Sequence, residues 1–199
     1  VMIALESAGP IPDPLLLSPA ELGEGLSSIH RAIRSIASRN YFHRAVMQRE
    51  LPNRYLPGTL PVLLIFASRL NLQITAVELI GIDKSGRVTP LDAFNSINGA
   101  PPNTRGARIQ FTAPGDTAIR SLVYLDMRLS DSVLDPSSPE GKFFERMGGF
   151  DTLIKSAVYL LHNKGFAGLC SYILEHSATV IQDDSGMPFR LFDRADWDA

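Results

Sequence analysis

The spacing of apolar side chains changes along the chain and indicates the kind of element in each segment. Residues 1–5 form a short continuous apolar run, which is typical of a fully buried strand. Residues 22–36 repeat apolar side chains at intervals of three and four, which predicts a helix with one face toward a core. Residues 58–71 are apolar on nearly every side, so we expect a second helix that is buried on most of its faces.

Local signals mark where the first helix begins and what precedes it. Ser18 stands where an N-cap is expected, Pro19 occupies the first helical position and Glu21 completes a capping box. Residues 10–18 are rich in proline and are expected to form an extended linker. Residues 42–51 predict a further short helix that stops before the next proline.

A period of two dominates the middle of the chain and predicts strands. Segments 72–82 and 87–91 are expected to pair around a short turn, and segments 106–113 and 117–130 around a Pro-Gly-Asp turn. We therefore predict an antiparallel meander of three or four strands with one wetter face. Residues 95–105, rich in Asn, Gly and Pro, predict a surface loop.

After the meander the pattern is helical again. Helices are predicted over 137–149, 150–165 and 166–182, followed by a turn and a short strand over 187–193. The sequence thus predicts a single α/β or α+β domain over 1–199, in which five or six helices pack against a mixed sheet. A Rossmann-like arrangement at the N-terminal strand is an alternative within this class. Because the chain starts inside an apolar run, we expect it to be the C-terminal part of a longer polypeptide.

The composition excludes several classes of protein. The chain has 199 residues, 45% of them hydrophobic, and its 19 basic and 21 acidic side chains leave a net charge of −2. A general nucleic-acid binder needs a clustered positive surface, so we expect no nucleic-acid partner. Cys170 is the single cysteine, which excludes an internal disulfide and a cysteine-based zinc cluster. The longest apolar run, residues 60–66, is too short to span a bilayer, so no transmembrane segment is expected in this chain.

Arginines give the first helical region a basic bias. Arg31, Arg34 and Arg39 fall outside its apolar stripe. A solvated helix face is one interpretation, and peripheral contact with an anionic lipid or partner surface is the other.

The best candidate for chemistry is the stretch "QDDSG", in which Asp183 and Asp184 are adjacent. Neighbouring residues of an extended loop point in different directions, so the two carboxylates are poorly placed as a general acid/base pair. One interpretation is a turn with aspartate side chains as caps and Gly186 at positive φ, and the other is a functional loop. His176 precedes this loop and would either pair with Asp183 or be a hydrogen-bonded helical histidine.

Glu6 is the candidate for holding a cofactor. An acidic residue at the carboxyl end of a buried strand is where Rossmann-like folds bind a ribose hydroxyl, although a cap or a salt bridge is the alternative role. Cys170 reads as a small core residue, and Ser185 lacks the context of a nucleophile elbow. No pair of histidines has metal-ligand spacing, so we assign no metal, no cofactor and no firm catalytic residue.

Four segments together resemble a family of uncharacterised bacterial proteins. They are "VMIALESAG", "PGTLPVLLIFASRL", "LIKSAVYLLHNKGF" and "ILEHSATVIQDDSGMPFRLFD". The resemblance implies a preceding strand–loop–helix unit and, because some members look exported, a location in the bacterial envelope or periplasm. It implies no activity and no catalytic residue.

Two hypotheses of different classes follow. The first is a non-enzymatic binding or scaffold subunit of a bacterial envelope or larger assembly, with a protein partner and a broad apolar or basic surface patch. The second is an enzyme, in which the candidate residues would converge in a concave pocket. It would be either a Rossmann-like transferase that uses Glu6 for a nucleoside cofactor such as S-adenosylmethionine, or a hydrolase that uses His176, Asp183 and Asp184.

Overall fold

The computed structural model describes residues 2–5, 16–38, 55–56, 58–92, 102–156, 159–192 and 197, with the side chains of 2–5 and 35–38 not described. The chain divides into two compact units. Unit 1 comprises residues 1–81 and 88–128, and unit 2 comprises residues 82–87 and 129–199. Both contain strands and helices, which confirms the mixed α/β content.

Several of the predicted features lie outside the described residues. They are Glu6, Arg39, the helix over 42–51, most of the linker at 10–18 and most of the loop at 95–105.

The sheet of unit 1 contains the predicted antiparallel meander. Its strands are β1 (Met2–Leu5), β2 (Gln73–Ile82), β3 (Val88–Pro90), β4 (Arg105–Thr112) and β5 (Arg120–Asp126). Their order is β1-β5-β4-β2-β3, with β5, β4, β2 and β3 forming the meander. β1 pairs with β5 in parallel, so that the strand nearest the start of the chain lies beside the last strand of the meander.

The first helix, α1 (Pro19–Ser38), begins as its sequence predicts. The Ser18 backbone N–H donates to Glu21 Oε2 at 2.9 Å, and the Glu21 N–H donates to Ser18 Oγ at 3.4 Å. This reciprocal pair is a capping box, which satisfies donors that the first helical turn leaves without an intrahelical acceptor. Among the described side chains of α1, Ile29 and Ala32 are buried on its inner face.

The second helix, α2 (Leu60–Arg69), is less buried than its apolar sequence predicts. Leu60, Pro61 and Ala67 are buried, whereas Phe66 is 51% exposed. The reason is geometric, because one stripe of the helix meets the sheet and the rest of its surface does not. The core cluster on this stripe comprises Leu60, Ala107, Ile109 and Tyr124.

The two faces of the meander differ in polarity. Tyr124 lies on the face that packs against α2 and is 1% exposed. On the opposite face Arg108 Nη1 donates to Glu78 Oε2 at 2.9 Å, across a pair of directly opposed residues. The face that carries Arg108 and Glu78 is the more polar one, although Leu125 on the same face is fully buried.

Unit 2 contains a well-capped helix, α3 (Pro139–Met147). The Gly141 N–H donates to Ser138 Oγ at 2.9 Å, and Gly148 at φ +65° ends the helix, which lies within the range of 137–149 predicted from the sequence.

The predicted helices over 150–165 and 166–182 are wrong in part. Residues Phe150–Ile154 form strand β6, and the second helix, α4 (Ala167–His176), gives way to strand β7 (Ser177–Gln182). The segment 150–154 alternates between inner and outer side chains, and β7 contains β-branched residues that favour strands. The strand expected over 187–193 does not form in its described part, residues 187–192, since Phe189–Leu191 form a short 3-10 helix.

β6 and β7 pair in parallel, with α4 in the connection between them, which makes a β-α-β unit. The N-terminal end of α4 is capped from a distance, because the Leu169 N–H donates to Asp131 Oδ1 at 2.9 Å. Cys170 is 1% exposed in the core of this unit, as predicted. The other members of that core are Ile154 and Met187, with Leu161, Ile173, Leu174, Val180 and Phe192 packed against them.

Among the helices that the structure describes, none combines the length and the apolar character that crossing a bilayer requires.

Candidate functional site

The carboxyl ends of β6 and β7 bring a cluster of polar side chains together. Parallel strands end at the same edge of a sheet, so the residues that follow them become neighbours. Lys155 follows β6, and Asp183 follows β7. Lys155 Nζ forms an ion pair with Asp183 Oδ2, two positions beyond the register pair Leu153 and Ile181.

Ser185 connects this ion pair to the backbone after β6. Its N–H donates to Asp183 Oδ1 at 2.9 Å, and its hydroxyl donates to the same oxygen. The hydroxyl oxygen in turn accepts the Ser156 N–H at 3.2 Å. Ser185 is 8% exposed, so each of these bonds satisfies a polar group that has little access to water.

Asp184 has a different partner from Asp183. Its Oδ2 accepts the Tyr159 hydroxyl at 2.9 Å. Tyr159 holds a left-handed backbone conformation, with φ +54° and ψ +40°, which costs a residue other than glycine roughly 1–2 kcal/mol. The hydrogen bond to Asp184 and the edge-to-face contact of Tyr159 with His162, at 5.3 Å between ring centroids, hold the side chain in place.

The electrostatics of the cluster favour fixed charges rather than proton transfer. Hydrogen bonds from Lys155, and then from Ser185, lower the pKa of the Asp183 carboxyl to about 2. The same ion pair raises the pKa of the Lys155 ammonium. The hydrogen bond to Asp184 raises the pKa of the Tyr159 hydroxyl. At neutral pH Asp183 is therefore ionised, Lys155 is protonated and Tyr159 is neutral.

This arrangement is poorly suited to acid/base or nucleophilic catalysis. A general base works best with a pKa near the operating pH, and the pKa of Asp183 is far below it. The Ser185 hydroxyl is bonded to a carboxylate whose pKa is too low to accept its proton efficiently. The cluster instead ties the turn after β7 to the segment after β6.

The turn at 183–186 has most of the predicted features, but not all of them. The Gly186 N–H donates to the Asp183 carbonyl at 3.0 Å, and Asp183 caps the Ser185 N–H with its side chain. Gly186 does not have the positive φ that we expect from the sequence. Glycine is needed there because a Cβ would lie 2.4 Å from Gln182 Oε1, whose side chain folds back to accept the Met187 N–H.

The structure does not bring His176 to Asp183. His176 ends α4 and Asp183 follows β7, so the length of the strand separates them, about 20 Å at roughly 3.3 Å per residue. The His176 ring stacks on Tyr172 at 4.1 Å between centroids, and its Nδ1 lies 2.9 Å from the Tyr172 carbonyl oxygen. Its contacts are those of a hydrogen-bonded histidine at a helix end.

Glu6 lies outside the described residues, so its distance from the other candidates is not defined. In the described part of the chain, no group of three or more His, Cys, Asp or Glu side chains could hold a metal ion.

A second feature of unit 2 is the face of the β6–β7 sheet that points away from α4, which we call the outer face. It consists of three cross-strand pairs: Asp151 with Thr179, Leu153 with Ile181, and Lys155 with Asp183. The central apolar pair is strongly exposed, with Leu153 at 78% and Ile181 at 62%. The opposite face packs on α4 through Ile154 and Val180.

Because the sequence predicts a helix over 150–165, it does not identify Lys155 and Tyr159 as site residues. Lys155 and Tyr159 become neighbours of the DDSG turn only when residues 150–154 form a strand. The alternation of Phe150, Thr152 and Ile154 with outward residues is the signal that identifies this strand.

Comparison of the chain with protein-family models, with curated proteins and with solved structures gives no match. The geometry of the described residues is therefore the basis for assigning a function.

Proposed function

We propose that this protein is a non-enzymatic binding module that holds a partner protein against the outer face. The observation on which this depends is the exposed pair Leu153 and Ile181, at the centre of a parallel two-stranded sheet. Strands of parallel sheets are almost always covered on both faces. Covering each of these side chains would contribute roughly 1.5–3 kcal/mol, which favours a bound partner over solvent.

The surroundings of the apolar pair support the proposal. Protein interfaces combine a central apolar group with a polar rim that is satisfied by its own hydrogen bonds. Here the Lys155–Asp183 ion pair borders one end of the apolar pair, and Asp151 with Thr179 borders the other. The low pKa of Asp183 fits this role, because a permanently ionised and paired carboxylate fixes the rim over the whole neutral range.

Photo-crosslinking tests the proposal at one residue. Cys170 is the single cysteine and is buried, so an Ile181→Cys variant has one accessible thiol for a benzophenone label. In extract from the source organism we expect one discrete crosslinked adduct. Adding Leu153→Asp should abolish it, because a charge would then face the apolar surface of the partner.

A label at Glu175→Cys, an exposed position on α4, is the matched control. We expect no adduct from that site. Equal adducts from both positions, or none from Ile181→Cys, would contradict the proposal.

A Rossmann-like transferase is the second candidate. Its support is that β1 runs parallel to β5 and that Glu6 directly follows β1. Calorimetric titration with S-adenosylmethionine tests it, with binding expected for the natural chain and weaker binding for Glu6→Gln. Absence of binding to the natural chain removes this candidate. The hydrolase alternative, with His176, Asp183 and Asp184, has less support because His176 lies at the other end of β7.

Peripheral contact with an anionic membrane, consistent with an envelope location, is a further proposal for α1. Its support is that Arg31 and Arg34 are exposed on that helix. Sedimentation with vesicles tests it, since binding should need an anionic lipid and should fall when both arginines are replaced by glutamine. Equal sedimentation of the double variant would exclude this role.

A further inference from the structure

A cavity of about 290 Å³ opens between α1 and α2 in unit 1. Its walls are mainly apolar, with Leu22 and Leu26 on α1, and Leu60 and Leu64 on α2. This volume lies just below the range of small-molecule sites, roughly 300–1,000 Å³, and these sites are also mostly apolar.

The cavity is open although the groups beside it, on α1 and at Leu56, are tightly packed. A Cβ on Gly25 would lie 2.9 Å from the side chain of Leu56, so α1 and that leucine are already in close contact. Leu26, one position further along α1, lines the cavity and yet is 42% exposed. The space beside it is therefore accessible from solvent and is not filled by a described side chain.

The cavity has one polar end, formed by the last turn of α2. Ser68 continues the stripe of Leu60 and Leu64 at intervals of four residues, and Arg69 stands beside it. Among the described residues of the lining, Arg69 is the one that carries a charge. Its side chain is exposed and forms no ion pair with any described carboxylate.

We propose that this cavity binds a small single-chain carboxylate, with its apolar chain between α1 and α2 and its head group on Arg69 and Ser68. A guanidinium matches a carboxylate with two parallel N–H donors, and the Ser68 hydroxyl adds a third donor. The cavity volume suits one chain and is too small for a partner helix. The site lies in unit 1 and does not depend on the outer face of unit 2.

Electrostatics make Arg69 essential to the proposal. The carboxyl end of a helix carries about half a negative charge, so α2 alone would repel an anion at this point. The full positive charge of Arg69 is larger than this half negative charge of the helix end. Removal of that charge should therefore weaken an anion far more than a neutral molecule with the same chain.

Calorimetric titration of the full chain with dodecanoate, below its micelle concentration, tests the proposal. We expect saturable binding at one site per chain, weaker binding of dodecanol and the weakest binding of dodecyltrimethylammonium. Arg69→Gln should weaken dodecanoate roughly tenfold or more and leave dodecanol nearly unchanged. Arg128→Gln, at another exposed arginine of unit 1, is the matched control and should leave all three affinities unchanged.

A second variant tests the position of the chain. Leu26→Trp places a bulky ring at a partly exposed position of the lining, where it should not disturb the core, and it should weaken dodecanoate and dodecanol alike. The proposal fails if dodecanoate does not bind, if Arg69→Gln binds it as tightly as Arg128→Gln does, or if the ammonium probe binds as tightly as the carboxylate.

Discussion

At the residue scale, the buried hydroxyl of Tyr124 makes the stability of the protein depend on pH in alkaline solution. Burial, together with the negative charge of Asp126, raises the pKa of the Tyr124 hydroxyl to about 12, against a hydrogen bond to Thr59 that lowers it. In the unfolded chain a tyrosine ionises near pH 10. The stabilising contribution of neutral, buried Tyr124 is thus complete below pH 10 and is lost as the pH rises toward 12.

We therefore expect unfolding of the natural chain by guanidinium to become easier between pH 9 and pH 11. Part of that loss should be absent in Tyr124→Phe, roughly 1–2 kcal/mol of unfolding free energy. Burial also raises the pKa of Tyr172, but that tyrosine is less buried, so Tyr172→Phe should remove a smaller part of the loss than Tyr124→Phe does. Identical pH dependence in the natural chain and in Tyr124→Phe would contradict this account.

Asp183 has the opposite dependence on pH. The ion pair with Lys155 and the bonds from Ser185 lower its pKa from the ordinary 3.8 to about 2. Its stabilising contribution is complete above pH 4 and is lost as the pH falls to 2. We expect the thermal midpoint of Asp183→Asn to fall less than that of the natural chain over this interval.

Asp151→Asn is a suitable comparison for Asp183→Asn, because Asp151 lies on the same outer face and makes no ion pair with a described residue. Its acid response should match that of the natural chain. A match between the two asparagine variants would mean that the Lys155 pair does not set the acid stability.

Gly86 tests the role of a single backbone position. It has φ +78°, and a Cβ there would lie 2.5 Å from the Lys142 carbonyl carbon. Gly86→Ala should therefore add a steric clash to conformational strain, and should cost more than about 1–3 kcal/mol of unfolding free energy. Gly115→Ala is the control, because Gly115 has φ +76° and open space around it. Equal costs for the two variants, measured by urea unfolding, would show that the clash is relieved.

At the scale of the element, the start of α1 depends on a short sequence signal. Ser18 and Glu21 satisfy each other's backbone N–H groups. Ser18→Ala should destabilise unit 1 by about 1 kcal/mol, which a fall in the urea midpoint would measure. Ser27→Ala, within the same helix, should have almost no effect or be slightly stabilising. A larger effect of Ser27→Ala would exclude the cap as the cause.

The elements that the sequence predicts correctly are those with local signals. The capping box of α1, the Pro-Gly-Asp turn and the alternation in β4 and β5 each lie within a few residues of the element that they define. The alternation in β6 is ambiguous by itself, because Phe150, Leu153 and Ile154 also fit the spacing of a helix. What makes it a strand is its pairing with β7, more than twenty residues later in the chain.

The residues of the candidate site divide in the same way, into those with a local sequence signal and those brought together by distant pairing. Asp183, Asp184 and Ser185 can be identified from the sequence because they form a turn by themselves. Lys155 and Tyr159 cannot, since only the parallel pairing of β6 and β7 brings them to that turn.

At the scale of the whole molecule, the single cysteine provides a probe of unit 2. Cys170 is buried, and burial raises the pKa of its thiol, so it reacts only when the surrounding core opens. We expect a thiol reagent to react slowly with the natural chain and faster with Gly86→Ala, whose strain lies in the same unit. An Ile181→Cys variant gives the rate of an exposed thiol. Rapid reaction of the natural chain would contradict the packing of this core.

The parallel pairing of β1 with β5 also determines when unit 1 can be completed during synthesis. Met2 pairs with Val123, so about 120 residues must be added before the partner of β1 exists, which takes a ribosome roughly 6–24 s at 5–20 residues per second. Throughout that interval β1 lacks the strand with which it pairs in the described sheet. The nascent chain is then an apt substrate for a ribosome-associated chaperone, because β1 precedes the other described strands of its sheet in the chain and can pair there only after β5 is made.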